Sequence, residues 1–368
     1  MVMVIIMGGH IDLSVGSVAA FVGIVVAKSM ADWHFPPWWA AVLLGLGLGV
    51  LVGAWQGFWV AFVGVPAFIV TLAGMLFFRG ANQWVGQSTS VAVPADFQYI
   101  GAGYLPELPI ALPFNFLTML LAVLAALWVV GFEVYLRRSQ RKAGTEPAPA
   151  WVSAVKVVIL AALILVAGYQ FATGRVGTSF PISGIVLLIL VIVYTFVTRN
   201  TVFGRHLYAV GGNRQAARLS GVKDRWTDFF VMMNMSVLAS VAAMIYVARA
   251  TASGPQDGNG WELDAIASVF IGGAAVSGGI GTVIGSIIGG LVMAFLNNGM
   301  ALLGAGATSW RWSRDSCSCS PWRSTSGTSS RGRPSLTGFI TRRFSRKEEQ
   351  FPPTSAPAST TAVRDAVK

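Results

Sequence analysis

The residues whose types and spacing offer chemistry fall in three short stretches, and the chemistry on offer is binding rather than bond-making. Residues 204–222, GRHLYAVGGNRQAARLSGV, begin with Gly204 and carry Arg205, Arg214 and Arg218, with Lys223 and Arg225 close behind. In its middle, Gly212 and Asn213 lead into a short helix-forming run that holds Ala216, Ala217, Arg218 and Leu219. Ser220 and Gly221 close it, and Gly221 can end a helix through a left-handed C-cap. This stretch reads either as a helix that docks a partner protein or as a loop whose charges only fix orientation.

The second stretch, GGHIDLSVGS (residues 8–17), puts Asp12 and Ser14 in apolar surroundings. An acid at membrane depth faces a cavity or a partner rather than lipid. Asp12 can equally be the N-cap of the helix that follows, and the two roles are compatible. In the third, Glu262 and Asp264 precede an apolar helix, where first-turn acids suit the positive end of the helix dipole. That structural role alone accounts for both.

Sets that would make or break bonds are missing from the pattern. His10, Asp12 and Ser14 are merely neighbours in a helix break, and His10, His34 and His206 have no metal-ligand spacing. Cys317 and Cys319 are too few for a zinc site and too close for a disulfide. The glycine-rich residues 278–285 have no Lys-Ser/Thr after them, so they are not a phosphate loop. No catalytic residue, metal or cofactor is expected, and the chain does not read as an enzyme.

The elements that position these residues follow from composition. Of 368 residues 54% are hydrophobic and 11% charged, with a mean hydropathy of +0.65. Soluble domains carry about 25% charged residues. The expected fold is therefore all-α, a polytopic transmembrane helical bundle with broken or half helices. A net charge of +11 raises nucleic acid as a partner. Basic loops and anionic lipid headgroups account for it more simply, so membrane lipid is the expected contact and nucleic acid is not.

Along the chain, a turn at residues 31–37 leads into a span at 38–62. Gly45, Gly49, Gly53 and Gly57 recur there every fourth residue, a smooth face for close helix contact. Pro66 opens a segment of 13 residues to Phe78, a half-helix unless it runs on to Val85. Residues 86–113 are polar and lack Lys and Arg. Further spans are read at 114–136, 151–171, 181–197 and 226–249. A helix from Glu262 is broken by SGGIG at 277–281, after which Gly281, Gly285 and Gly289 repeat the four-residue spacing up to Leu303. Loops 137–150 and 199–225 are the basic ones, and the span count puts both on one side, the cytoplasmic side by the positive-inside rule.

From about Ser309 the chemistry changes to Ser, Arg, Cys, Trp and Thr with almost no aliphatics. With third codon bases chosen freely, a shifted frame over residues 315–329 reads LVLLLAVALDVWNK, an ordinary apolar span ending in a basic stop. The expectation is that residues 1–308 form the transmembrane domain, that 309–333 are an out-of-frame replacement of the last span, and that 334–368 are a disordered tail. The alternative for 309–333 is a genuine disordered basic tail.

Four stretches together carry a family resemblance: GGHIDLSVGS, VPAFIVTLAGMLFFRG (65–80), residues 204–222 and ELDAIASVFIGGAAVSGGIGTVIGSIIGG (262–290). They resemble the bacterial monosaccharide ABC-importer permeases of the ribose/xylose type, in the same order from residue 1 to about Leu303. The histidine in GGHIDLSVGS, the insert near 137–150 and the wording FGRHLYAVGGN are most similar to the xylose branch. The resemblance implies an inner-membrane permease that pairs as a homodimer. It also implies a separate cytosolic ATPase and a periplasmic or lipoprotein sugar-binding protein. Residues 213–221 become the coupling segment, and Asp12, Ser14, Glu262 and Asp264 become candidates for the translocation pathway. The resemblance further implies a span ahead of GGHIDLSVGS that this sequence starts too late to hold. The competing class is an ion-coupled secondary transporter of a small solute, with Asp12 as the candidate ion site.

Overall fold

The structure is a computed structural model that describes residues 1–8, 10–32, 37–106, 114–142, 150–173 and 179–303. The expected turn around His34, part of the linker at 137–150, and the segments 309–333 and 334–368 lie outside the described residues. Residues Met1–Gly299 form one compact unit, and of the second unit, from Met300, only the end of a helix, up to residue 303, is described.

Thirteen α-helices are described: α1 (Val2–Ile6), α2 (Val15–Ala31), α3 (Trp38–Phe58), α4 (Ala67–Val85), α5 (Ala95–Ala102), α6 (Phe116–Lys142), α7 (Ala150–Ala172), α8 (Ile182–Asn200), α9 (Val202–Gly212), α10 (Arg214–Leu219), α11 (Asp224–Ala250), α12 (Trp261–Ile271) and α13 (Val283–Leu302). Among the described residues six helical segments are long and apolar enough to cross a membrane by length and composition: Trp38–Val63, Phe116–Tyr135, Trp151–Ala172, Ile182–Asn200, Asp224–Ala250 and Val283–Leu302. The expected all-helical, multi-span architecture is what the chain forms.

The centre of the bundle is α11, and the glycine stripe of α3 explains how it is packed. A Cβ built on Gly53 would lie 2.6 Å from the Met233 Cα, one on Gly49 2.4 Å from the Ser240 Oγ, and one on Gly45 2.8 Å from the Met244 Sδ. One on Gly57 would lie 3.0 Å from the Phe229 carbonyl oxygen. All four face α11, so α3 and α11 touch backbone to backbone. Around this pair, α2 contributes Val18, Val22, Ile24 and Val26 to a core completed by Phe78 of α4 and Phe97 of α5. The α6–α7 hairpin sits at the periphery with Trp128, Leu163 and Val166 exposed, as lipid-facing helices require.

One expectation is decided between its two readings and one is corrected. Of the two readings of the segment after Pro66, the longer one forms. Gly74, Phe78, Asn82 and Gly86 continue one buried face against α2 and its neighbours, so α4 runs to Val85. Residues 86–106 hold structure of their own. Val91–Ala92 pairs antiparallel with Ala252–Ser253, and α5 follows, with Gly101 against the Ile245 carbonyl. The helix from Glu262 does not reach Ser277. It ends at Ile271, because Gly272 packs on the Gly285 backbone and Gly273 takes φ +87°, a left-handed exit.

α3 also ends in a π-helical turn, Trp59–Val63, closed by Gly64 at φ +84°. The wider turn delivers the chain to Pro66 and the start of α4.

The α3–α11 seam gives a direct comparison. Gly53→Ala should lower the thermal midpoint of the purified protein, because a methyl group meets backbone and overpacking costs about 1–3 kcal/mol. Gly47→Ala, with nothing within 4 Å of its Cβ position, should not. Equal midpoints by scanning fluorimetry would contradict the assigned seam.

Candidate functional site

α10 is a six-residue helix with a cap at each end. The Asn213 side-chain oxygen accepts the Ala216 N–H at 3.0 Å, and Gly221 leaves the helix at φ +83°. Six residues hold too few internal hydrogen bonds to be stable alone. The helix is instead clamped to the foot of α11. Both Arg214 Nη atoms donate to Asp228, at 2.7 and 2.9 Å, and Nη1 also reaches Asp224 at 3.3 Å. Arg218 donates to Asp224 through Nε at 2.8 Å and Nη2 at 2.6 Å. Hydrogen bonding to Asp228 and to Asp224 holds the two guanidiniums above their ordinary range, so both arginines keep their charge.

With its inner side fixed, α10 shows the rest to solvent. Ala217 is buried, while Gln215, Ala216, Arg218, Ser220 and Gly221 are exposed. Leu219 is 91% exposed, the most exposed large apolar side chain among the described residues. The sequence places Leu219 on the helix without singling it out as a contact residue; Arg218, expected as one, hydrogen-bonds Asp224.

Behind α10 the backbones of three elements meet. A Cβ on Gly211 would lie 1.9 Å from the Ile6 carbonyl oxygen and 2.7 Å from the Gly279 nitrogen. The Gly279 N–H donates to that same Ile6 oxygen at 2.7 Å. The Tyr208 hydroxyl donates to the Gly281 carbonyl at 2.8 Å. Thus α9 leans on both the end of α1 and the loop joining α12 to α13. Gly204, at the start of α9, is pressed on the Thr198 carbonyl and makes the tight corner after α8. Arg205, the next residue, is exposed.

The pathway candidates separate into two neighbouring groups. Asp12 and Ser14 are buried together, with the Asp12 carboxylate accepting the Ser14 N–H at 2.8 Å and its hydroxyl at 2.7 Å. Ser14, not Asp12, stands at the N-cap of α2, which corrects the capping expectation. Gln56 of α3 donates to the Ser14 hydroxyl at 2.8 Å, and Thr71 of α4 donates to the Ile11 carbonyl at 3.3 Å.

One turn further along α2, Gly16 leaves room for Glu262: a Cβ there would lie 2.6 Å from its Oε2. Glu262 also pairs with Arg79 at 3.7 Å. Asp264 accepts from Asn297 of α13 at 3.2 Å. Arg79 lies roughly 18 Å along α4 and Asn297 roughly 21 Å along α13 from the first residue of each helix, at 1.5 Å per residue. The pairs Arg79–Glu262 and Asn297–Asp264 form a polar layer at the first turn of α12, with Glu262 buried and the other three half-buried. Arg79 and Asn297 were not singled out from the sequence. An arginine in the last third of an apolar segment is the signal that marks the first. Among the described residues no group of three or more His, Cys, Asp or Glu is placed to hold a metal.

The chain is 38% identical over 313 residues to the xylose transport system permease protein XylH of Haemophilus influenzae, covering 84% of this chain and 79% of that protein. It is 32% identical over 309 residues to the ribose import permease protein RbsC of Escherichia coli K12 (83% and 73%). It is also 32% identical over 297 residues to the inner membrane ABC transporter permease protein YjfF of the same organism (80% and 69%). No solved structure matches the chain. Residues 1–314 match the family described as branched-chain amino acid transport system, permease component. A match over that much of the chain, with clamped α10, the α9 backbone junction and the polar layer all inside it, means that this chain belongs to that family of transport permeases.

Proposed function

We propose that the chain is the membrane-spanning permease subunit of an ATP-driven ABC importer for a monosaccharide, xylose or another pentose. The observation that carries the mechanism is α10 itself, exposed, clamped by two Arg–Asp contacts, and backed by an α9 that touches both helix breaks. The 38% identity to a xylose permease supports the substrate over the amino acids in the family description. One relative is an ABC transporter permease by name, and no relative's name supports the ion-coupled alternative.

In this reading loops 137–150 and 199–225 face the cytosol, and α10 seats in a separate ATPase that does all ATP hydrolysis. Gly212, Asn213, Ala216 and Gly221 shape the seat, with Ala217 and Arg218 holding it from behind and Leu219 at its tip. Two copies of the permease enclose the path in the lipid bilayer, and a periplasmic or lipoprotein sugar-binding protein delivers the sugar. ATP binding draws the ATPase halves together and moves α10. Because Gly211, Ile6 and Gly279 are in backbone contact, that motion reaches the start of α2 and the α12–α13 loop without slack. Asp12 and Ser14 end one route, and Glu262 and Asp264, joined by Arg79 and Asn297, lie along the other. Sugar hydroxyls need donors and acceptors together, and this layer offers both.

Three outcomes follow. Labelled xylose uptake by proteoliposomes holding the permease, its ATPase and the binding protein should require ATP and survive an ionophore. Uptake without ATP, abolished by the ionophore, would overturn the reading. Leu219→Asp should cut co-purification of the ATPase at least tenfold with an unchanged thermal midpoint; unchanged co-purification would contradict docking through α10. Gly211→Ala should leave the ATPase bound while uptake falls steeply, and uptake at the wild-type rate would remove the α9 junction from the transmission route.

A further inference from the structure

A second polar feature lies beside α10 and has no role in that scheme. At the foot of the bundle, the π-helical turn, the start of α4, α10 and the start of α11 enclose a cavity of about 290 Å³. We infer that this cavity binds the phosphate of an anionic phospholipid. The inference rests on the orientation proposed above, which puts the α10 face at the cytosolic leaflet.

Charge is the first support. Arg214, Arg218 and Arg225 line the cavity with His10, against Asp224 and Asp228. Both carboxylates are committed, Asp228 to Arg214 and Asp224 to Arg218 and Arg214. One cation is left over. Arg225 is exposed and, among the described residues, has no carboxylate within ion-pair distance. A phosphodiester carries the single negative charge that balances it.

Backbone donors are the second support. Pro66 and Ala67 form part of the wall. The first hydrogen bonds of α4 run from the Ile69 and Val70 N–H groups to the Pro66 carbonyl. The Ala67 and Phe68 N–H groups precede them, at the positive end of a 19-residue helix. This helix end and the arginines converge on one space.

The third support decides between a free phosphate and a lipid. Next to the cavity stands an aromatic cluster: Phe62 and Trp226 edge to face at 5.2 Å, and Trp226 stacked on Phe230 at 5.8 Å. Trp59, Trp226 and Phe230 are exposed. Aromatic rings of this kind mark the headgroup level of a bilayer. Free phosphate gains nothing from them, whereas a lipid places its phosphate among the arginines and its acyl chains along the rings. Basic pockets between membrane helices on the cytosolic side suit anionic headgroups for this reason.

The test uses the full-length permease, with and without its ATPase, in mild detergent. Native mass spectrometry reads retention of phosphatidylglycerol and phosphatidylcholine, each added alone and with millimolar inorganic phosphate. Phosphatidylglycerol should be retained several-fold better than phosphatidylcholine and should resist inorganic phosphate. Arg225→Gln should lower its retention about fivefold, the scale expected for one basic residue at a lipid surface, and Arg225→Lys should restore most of it. Equal retention of the two lipids, or no effect of Arg225→Gln, overturns the proposal. Displacement by inorganic phosphate reassigns the site to a free anion and overturns it too. Loss of lipid on adding the ATPase, together with weaker ATPase binding by Arg225→Gln, gives the cavity to the ATPase instead. ATP-driven xylose uptake measured alongside reports on the importer reading, and lipid retention does not depend on its result.

Discussion

Four charges at the foot of α11 hold the arrangement together. A helix as short as α10 has no stability of its own, yet the proposed coupling requires that it not yield. The Arg214–Asp228 and Arg218–Asp224 contacts resolve this by bonding the short helix to a long one. Asp228 is almost fully buried, so removing its partner leaves a charge without compensation, a loss of about 3–5 kcal/mol for a buried pair. That is far more than the helix gains internally. α10 is in this sense an outgrowth of α11 rather than a loop.

α11 is rigid in turn because α3 lies against it with only glycine between the backbones. The same device recurs where Gly211 meets Ile6 and Gly279, and where Gly285 and Gly289 of α13 meet Gly272 and Ser268 of α12. Side chains would cushion these junctions. Backbone contact passes displacement on directly, since packed interfaces move between arrangements rather than compress. In the proposed mechanism the breaks at residues 10–14 and 272–282 are where displacement turns into rearrangement; the buried Asp12 lies within the first, and the buried Glu262 lies in the helix ahead of the second.

Much of this was legible in the sequence because it depends on period and composition. The four-residue glycine spacing of α3 could only be a contact face. Gly221 marks the end of a short helix by its capping chemistry alone. What the sequence withheld depends on long-range partners. The apolar helix beginning at Glu262 ends early because Gly272 meets Gly285, a contact invisible to local pattern. Arg218 and Arg214 look alike as free surface charges until Asp224 and Asp228 are seen opposite them. Asp12 looks like a cap, but Ser14 takes that position once Gln56 approaches from α3. Arg79 passed unremarked because its partner, Glu262, is distant in the chain.

The central claim is that α10 moves as one body with α11. Its most direct measurement is a spin-label distance in the permease–ATPase complex, with Cys317 and Cys319 replaced by serine and labels at Gln215 on α10 and Ala242 on α11. The account predicts one narrow distance distribution, the same without nucleotide and with ATP bound, while the Gln215–Gln215 distance between copies shifts by several ångströms. A Gln215–Ala242 distribution that broadens or shifts on ATP binding would mean that α10 swings free of its clamp, and the account would be wrong.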